Sequence, residues 1–152
     1  MMMTHETARA LLDAWFEGWA RMAPDALAAL TDRDDPCPHY VPEEVETAPF
    51  TTWAAVDRYW AEAARLFPGG VRLEADAITL SAPAPDLAAL YFPTRWALVP
   101  PGGPGIAGEN RVSQLWRRRP EGWRLIHHVE APLAMVPWVM GLAAARAREA
   151  AP

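Results

Sequence analysis

Residues 109–132 constrain the fold most, because they predict two long strands joined by one tight turn. The turn reads Arg-Pro-Glu-Gly. Pro120 suits the first corner of such a turn, and Gly122 tolerates the positive φ that a hairpin often needs. A tryptophan stands on each side of the turn, at Trp116 and at Trp123. We therefore predict a β-hairpin in the last third of the chain.

Three segments upstream of this hairpin predict helices. The first covers about residues 5–22, where apolar side chains recur at the spacing of one helical face: Leu11, Leu12, Trp15, Phe16, Trp19 and Met22. Pro24 fits the first turn of a short second helix. Thr51 or Thr52 is expected to cap a third helix. The predicted buried side of this third helix contains Val56, Tyr59, Trp60, Ala63 and Phe67.

The remaining segments predict strands and loops. Residues 32–49 are rich in proline and acidic side chains, and we interpret them as a loop with one short strand around residues 39–45. Four strand-like runs bounded by proline and glycine then follow, at residues 71–81, 87–99, 106–118 and 122–131. Helices followed by an antiparallel meander indicate an α+β fold. We expect residues 1–152 to form a single domain.

The hairpin carries the pattern Trp-x-Arg-Arg-x-x-x-Trp-x-x-x-His, which starts at Trp116. This pattern resembles the final hairpin of the nuclear transport factor 2-like superfamily. Within it, the nearest similarity is to the association (hub) domain of calcium/calmodulin-dependent kinase II and to SnoaL-like proteins. The resemblance implies a cone-like roll, in which a curved mixed or antiparallel sheet wraps around N-terminal helices and encloses a pocket. It covers about residues 8–132 of a domain core at 5–132, and residues 133–149 predict an appended C-terminal helix.

The composition excludes several kinds of chemistry. All 14 basic residues are arginine, so a Schiff-base lysine and a phosphate-loop lysine are both excluded. The single cysteine, Cys37, rules out an internal disulfide and a multi-cysteine zinc site. The adjacent His127 and His128 point to opposite faces of a strand, so they cannot converge on one metal ion. We therefore expect no metal and no cofactor.

The charge balance argues against a polyanionic partner. The net charge is −5, whereas a sequence-independent nucleic-acid binder normally has a basic face. Three consecutive arginines at 117–119 are interpreted as the solvated end of the hairpin. No apolar segment is long enough to span a bilayer, and the N-terminus has no signal-peptide core. We expect a cytoplasmic protein that binds neither nucleic acid nor membrane.

His127 is the first candidate for chemistry. Alternation along the last strand predicts that His127 faces the core together with Trp123 and Leu125. His128 is predicted to face the opposite side. By resemblance, His127 matches the first histidine of a His-x-His ending whose second position is Val129 here. The imidazole is either a core group bonded to a neighbour or a ligand-contacting, acid–base group, because histidine titrates near neutral pH.

Two arginines are candidates for binding a ligand anion. Arg95 lies in an otherwise apolar strand with Tyr91, a further candidate ligand contact, and a buried arginine is costly without a partner. Arg111 matches the arginine that opens the next strand in many SnoaL-like sequences. The hub domains carry a pocket-lining arginine where this chain has Gln114. The alternative for both arginines is a structural salt bridge to Glu74, Asp76 or Glu109.

The segment that begins at His39 supplies another candidate, Glu43. In ketosteroid isomerase-type relatives a general base precedes the third helix, and Glu43 lies closest to that position. A carboxylate in an apolar pocket can carry a proton near neutral pH. The alternative is an acidic, solvated loop. Trp15 and Trp19 are candidates for the pocket wall, and His39 for a polar ligand contact.

Three functions are consistent with these residues. The first is a small-molecule-binding domain of the SnoaL-like kind, with an aromatic pocket and a few polar anchors, for an apolar or carboxylate-bearing molecule. The second is a cofactor-independent acid–base enzyme (an isomerase, dehydratase or cyclase) that acts on an apolar substrate through His127 or Glu43. The third is an oligomerisation module. We also expect a homodimer that forms through the outer face of the sheet.

Overall fold

The computed structural model describes residues 2–42 and 48–132. Glu43, with its predicted role as a base, and the predicted C-terminal helix at 133–149 lie outside the described residues. The described elements are α1 His5–Ala20, α2 Pro24–Ala29, β1 His39–Val41, α3 Trp53–Leu66, β2 Val71–Glu74, β3 Thr79–Ala84, β4 Leu87–Leu98, β5 Ile106–Arg119 and β6 Gly122–Pro132. No helix among them is long and apolar enough to cross a membrane.

A threonine begins each of the two long helices, because its side-chain oxygen accepts a hydrogen bond from a backbone N–H of the first turn. Thr4 caps α1, and Thr52 rather than Thr51 caps α3. α1 ends at Ala20, slightly earlier than predicted. The helix stops there because Met22 adopts a positive φ of 44°, which leaves the right-handed helical region.

The six strands form one sheet. Their order is β1-β6-β5-β4-β2, and β3 also pairs with β4. β1 runs parallel to β6, whereas the other described strand pairs are antiparallel. The helices lie against one face of this sheet, since Trp15 and Phe16 of α1 contact His128 of β6 and Phe92 of β4. A mixed, mainly antiparallel sheet with N-terminal helices confirms the predicted α+β fold class.

The predicted strand at residues 71–81 is wrong in one respect, because it is divided into β2 and β3. Both strands pair with the same edge of β4. Glu74 pairs with Arg95, so the first ladder ends there. Thr79 pairs with Tyr91, and five steps from 74 to 79 therefore oppose four steps from 95 to 91. The extra residue interrupts the ladder, as a β-bulge does.

Alternation along β4, β5 and β6 separates an inner face, which the helices cover, from an outer face. Buried inner-face residues of these strands include Ala88, Leu90, Phe92, Thr94, Asn110, Val112, Gln114, Trp116 and His128. The helices add Leu12, Trp15, Val56 and Trp60 to the same core. The outer face carries Tyr91, Arg95 and Arg111, which are exposed. Most large aromatic side chains therefore lie between the helices and the inner face.

Two arginines of the hairpin are only partly solvated, because they form ion pairs that the prediction did not include. Arg117 and Arg119 are about one-third exposed and pair with carboxylates of the loop before β1. Arg119 Nη2 lies 2.8 Å from Asp32 Oδ2, and Arg117 binds Asp35. Asp32 is only 3% exposed, and its two guanidinium partners offset the cost of burying its charge. These pairs join residues 82 and 87 positions apart, which strand alternation does not predict.

Candidate functional site

One extra residue in β6 decides which histidine enters the core. The register between β5 and β6 shifts after Leu115, so that Ile126 is the extra residue of a bulge. A shift of one residue moves all later side chains to the other face. His128 is therefore buried on the inner face at 1% exposure, and His127 lies on the outer face. The predicted orientation of these two histidines is wrong for this reason.

The side chains around His128 form one hydrogen-bonded chain. Trp116 Nε1 donates to Gln114 Oε1 at 3.0 Å, and the Gln114 amide lies 3.0 Å from His128 Nδ1. On the other side of the ring, His128 Nε2 lies 2.7 Å from Glu130 Oε1. Asn110 Nδ2 donates to Glu130 Oε2 at 3.3 Å. The hydrogen-bonded chain thus ends at the carboxylate of Glu130, which both His128 and Asn110 contact.

The indole at the head of this chain sets the direction of the bonds that follow. An indole N–H can only donate, so the Gln114 oxygen faces Trp116 and the amide nitrogen faces His128. An amide NH₂ group also only donates, so Nδ1 of His128 accepts and the ring proton resides on Nε2. Both ring nitrogens are then engaged within the protein. Glu130, 17% exposed against 1% for His128, is the more accessible end of the chain.

Aromatic rings surround the buried imidazole. Tyr40 stacks on His128 with the ring centroids 4.6 Å apart, and the centroid of Trp15 lies 5.3 Å from it. Trp60 Nε1 donates to the Tyr40 hydroxyl at 3.3 Å. Trp19 packs edge-on against Trp15 at 6.5 Å. Trp15 and Trp19, the residues predicted for a pocket wall, therefore lie in one aromatic cluster beside His128.

Two buried polar atoms of the inner face, one of them on Asn110, which contacts Glu130, extend the polar arrangement. Thr94 and Asn110 face each other across β4 and β5, and they are 2% and 4% exposed. Neither Thr94 Oγ1 nor Asn110 Oδ1 has a hydrogen-bond partner in the part of the chain that the structure describes. A buried polar atom without a partner costs about 1–3 kcal/mol, so such atoms usually bind water, an ion or a ligand. The inner face therefore has unused hydrogen-bonding capacity beside Glu130.

The predicted anion-binding residues lie on the outer face, away from the aromatic cluster. Arg95 donates to Asp76 at 2.6 Å and to Glu74 at 3.4 Å, which is the structural salt bridge considered as an alternative. The hydrogen bond and charge of Asp76, with a smaller effect of Glu74, raise the pKa of Arg95. A surface groove of about 420 Å³ passes beside Arg95. The ligand-binding roles of Arg95, Arg111 and Tyr91 remain predictions.

Two stacked histidines, His39 and His127, lie on the outer face. His39 of β1 and His127 of β6 are register partners, with rings parallel to within 4° and centroids 4.8 Å apart. Burial lowers the pKa of His127, and charge on His39 and His128 lowers it further. Among residues 2–42 and 48–132, no group of three or more histidine, cysteine or acidic side chains is placed to hold a metal ion. The predicted roles of His39 and His127 remain predictions.

Sequence reasoning did not select five polar residues of this arrangement as site residues: Thr94, Asn110, Gln114, His128 and Glu130. Asn110 and Gln114 occupy the same alternating positions of β5 as Trp116. A polar residue in phase with a buried tryptophan is the signal that identifies them. Alternation along β6 gives no such signal for Glu130, because the bulge at Ile126 exchanges the two faces for all later residues of the strand.

No protein-family model matches the chain, and no curated protein matches its sequence. Solved structures do match. A nuclear transport factor 2-like superfamily protein from Salmonella enterica has 17% identity and a TM-score of 0.74, over 86% of this chain and 92% of that one. A proposed calcium/calmodulin-dependent kinase II association domain from Xanthomonas campestris has 18% identity and a TM-score of 0.72, over 85% and 87%. A proposed dehydratase of the same fold family from Streptomyces avermitilis has 19% identity and a TM-score of 0.72, over 85% and 95%.

These similarities show the fold. The chain has the nuclear transport factor 2-like fold, which confirms the resemblance found in the hairpin. At these identities the fold carries no activity with it, because the same fold supports unrelated functions. A ligand-binding or enzymatic role fits the fold and the aromatic cluster. The homodimer and the cytoplasmic location remain predictions.

Proposed function

We propose that this chain binds a small, largely apolar molecule at the inner face, with the carboxylate of Glu130 as its polar anchor. The observation that carries the proposal is the hydrogen-bonded chain that runs from Trp116 to Glu130. Ligand sites typically combine apolar and aromatic walls with a few placed polar groups. The aromatic cluster of Trp15 and Tyr40 beside His128 supplies such a wall.

The negative charge of the Glu130 carboxylate favours an apolar ligand over a carboxylate-bearing one, the two ligand classes predicted from the sequence. Arg95 and Arg111, the groups expected to bind a ligand carboxylate, lie on the outer face. The inner face instead presents the carboxylate of Glu130, and two like charges in a site of low dielectric repel each other strongly. An apolar molecule with a neutral polar group therefore suits the inner face better than a carboxylate-bearing molecule.

Binding of small ring compounds to two matched variants tests this proposal. Glu130→Ala removes the inner-face anchor, whereas Glu109→Ala removes an exposed carboxylate from the outer side of β5. We expect Glu130→Ala to weaken binding about tenfold or more, as the loss of a hydrogen bond to a charged group does. Glu109→Ala should leave the dissociation constant unchanged. Equal effects of the two substitutions would show that the ligand binds elsewhere.

A second candidate is acid–base catalysis by the same carboxylate. It is favoured by the two donors, His128 and Asn110, that orient the Glu130 carboxylate. In a dehydration, Glu130 would take a proton from the carbon next to a carbonyl, and the C–H electrons would form the double bond. The neighbouring hydroxyl would leave as water with that proton. His127 and Glu43, the bases expected from the sequence, remain alternatives.

The abstraction of a proton by Glu130 can be tested by following the exchange of the protons of a simple ketone with deuterated water. 2-Tetralone exchanges the protons next to its carbonyl, and proton NMR follows the loss of their signal. We expect the wild-type chain to accelerate the exchange and Glu130→Gln to abolish the acceleration, because the amide is not a base. His127→Gln, on the outer face, should exchange as wild type does. Exchange that is equally fast in Glu130→Gln and wild type would exclude Glu130 as the base.

A further inference from the structure

We infer that Thr94 and Asn110 form a hydroxyl-binding subsite beside Glu130. The inference rests on the proposed function, because it names the chemical group that the same inner face recognises. The ligand class is a neutral alcohol or phenol with an apolar body. Both side chains are more than nine-tenths buried, and each has a polar atom that is unpaired within the part of the chain that the structure describes.

The orientation of Asn110 follows from its contact with Glu130. A carboxylate can only accept, so Asn110 turns its amide nitrogen towards Glu130, at 3.3 Å. The amide oxygen then faces away from that carboxylate, and it is buried with no partner among residues 2–42 and 48–132. An amide oxygen can only accept. Asn110 therefore presents a fixed acceptor, which requires a donor from outside the described structure.

Thr94 supplies the second half of the subsite. It is the register partner of Asn110, and directly opposed side chains on one face of a sheet lie about 4.5–5.5 Å apart. A threonine hydroxyl both donates and accepts. A ligand hydroxyl does the same, so it can donate to Asn110 Oδ1 and accept from Thr94 Oγ1. One hydroxyl group thus satisfies both buried atoms.

Other ligand groups fit this pair less well. A carboxylate has acceptors only, so it would leave Asn110 Oδ1 unpaired and would bring a second negative charge close to Glu130. A hydrocarbon would leave both atoms unpaired. An ammonium group could donate to both Asn110 Oδ1 and Thr94 Oγ1, but moving its full charge from water into the aromatic site costs more than moving a neutral hydroxyl. The neutral hydroxyl is the group that matches the donors and acceptors on both sides.

Phenol, toluene and benzoate test the inference, because they share one ring and differ in one substituent. Amide and indole NMR spectra of the full chain follow the Trp15 indole and the Asn110 side-chain amide as each compound is added. We expect phenol to bind about three- to tenfold more tightly than toluene, the factor for one net hydrogen bond, and benzoate to bind most weakly. Equal binding of phenol and toluene overturns the inference and leaves the proposed function intact. If none of the three shifts these resonances, both are overturned.

Two variants distinguish the subsite from a general preference for phenol. Thr94→Val keeps the side-chain shape and removes a hydroxyl that has no partner among the described residues, so its melting temperature should equal or exceed that of wild type. It should lose most of the phenol preference over toluene. Ser113→Ala, which removes an exposed hydroxyl from the outer side of β5, should retain the preference. A full phenol preference in Thr94→Val overturns the inference.

Glu130→Gln provides an independent check of the orientation. His128 Nε2 still requires an acceptor, so the new amide must turn its oxygen to His128 and its nitrogen to Asn110. Asn110 then rotates its own oxygen towards position 130 and presents donors to the ligand. We expect phenol to keep its advantage over toluene, because its hydroxyl can accept from Asn110 and donate to Thr94, and we expect benzoate to gain affinity relative to toluene. An unchanged affinity of benzoate relative to toluene overturns the inference.

Discussion

On the inner face of the sheet, Gln114, His128 and Glu130 are linked in one hydrogen-bonded chain among aromatic rings. On the outer face, Arg95 pairs with Asp76 while both side chains are at least half exposed. Solvent screens an exposed pair, so it contributes little, whereas a buried polar atom that loses its partner is costly. The loss of a partner is therefore expected to cost more on the inner face than on the outer face.

Trp15→Ala should have the largest effect on this comparison. The Trp15 side chain is 1% exposed and contacts the rings of Tyr40, Trp60 and His128. Its removal leaves a large cavity, and we expect the free energy of unfolding to fall by about 3–5 kcal/mol. Urea denaturation measures the change. Tyr91→Ala, at an outer-face position that is 43% exposed, is the control, and an equal loss in both variants would contradict the assignment of the faces.

Trp116→Phe should have the second largest effect. It keeps most of the ring and removes the N–H that bonds to Gln114, so a buried amide oxygen is left without its donor. We expect a loss of about 1–3 kcal/mol in the free energy of unfolding. Trp53→Phe is the matched control, because the Trp53 N–H is buried without a partner among the described residues. We expect a clearly smaller loss in Trp53→Phe than in Trp116→Phe.

His127 should give a small, pH-dependent effect. Burial and the charges of His39 and His128 hold the pKa of His127 below its ordinary value of about 6.5. The folded state thus favours the neutral ring, so this contribution to stability is complete above about pH 6.5 and is lost as the pH falls through the lower, folded pKa. We expect less than about 1 kcal/mol, because the residue is only partly buried and solvent screens its charge.

Urea denaturation between neutral and mildly acidic pH checks the histidine prediction. His127→Phe keeps a ring against His39 and cannot titrate, so it should show a weaker decline in stability on acidification than wild type. His5→Gln, at an exposed position of α1, should decline as wild type does. A decline in His127→Phe that matches wild type would mean that His127 does not cause it.

Arg95→Ala should have the smallest effect. Its ion pairs with Asp76 and Glu74 are exposed on the outer face, where solvent solvates the carboxylates that are left. We expect no measurable change in melting temperature or in the affinity of an inner-face ligand. A loss of binding in Arg95→Ala would move the site to the outer groove beside this residue and would restore the role predicted from the sequence.

Local patterns predicted most of the fold, because caps, periodicity and turn residues act over a few positions. Pro24 begins α2 and Thr52 caps α3, as expected. Gly122 adopts the positive φ expected for the turn, at 128°. β4 and β6 begin at the residues that the breakers indicate and end within one residue of the predicted limits. These features need no knowledge of distant parts of the chain.

The arrangement of the candidate site depends on features that act over longer distances. The bulge at Ile126 arises from the pairing of β6 with β5. Strict alternation of side chains along β6 therefore does not predict it. That single residue exchanges the faces of His127 and His128 and turns Glu130 inwards. The pairing of Asp32 with Arg119 depends on residues 87 positions apart. The sequence therefore identified Trp15 and Trp19 of the aromatic cluster and missed the polar groups beside them.

The most direct test is the position of the ring protons of the histidines at neutral pH, measured by long-range proton–nitrogen NMR. We expect His128 to carry its proton on Nε2 alone, bonded to Glu130, and to exchange it slowly with water. His127, half-buried on the outer face, should exchange faster. A proton on Nδ1 of His128, or fast exchange between both nitrogens, would contradict the inner-face chain and the anchor proposed at its end.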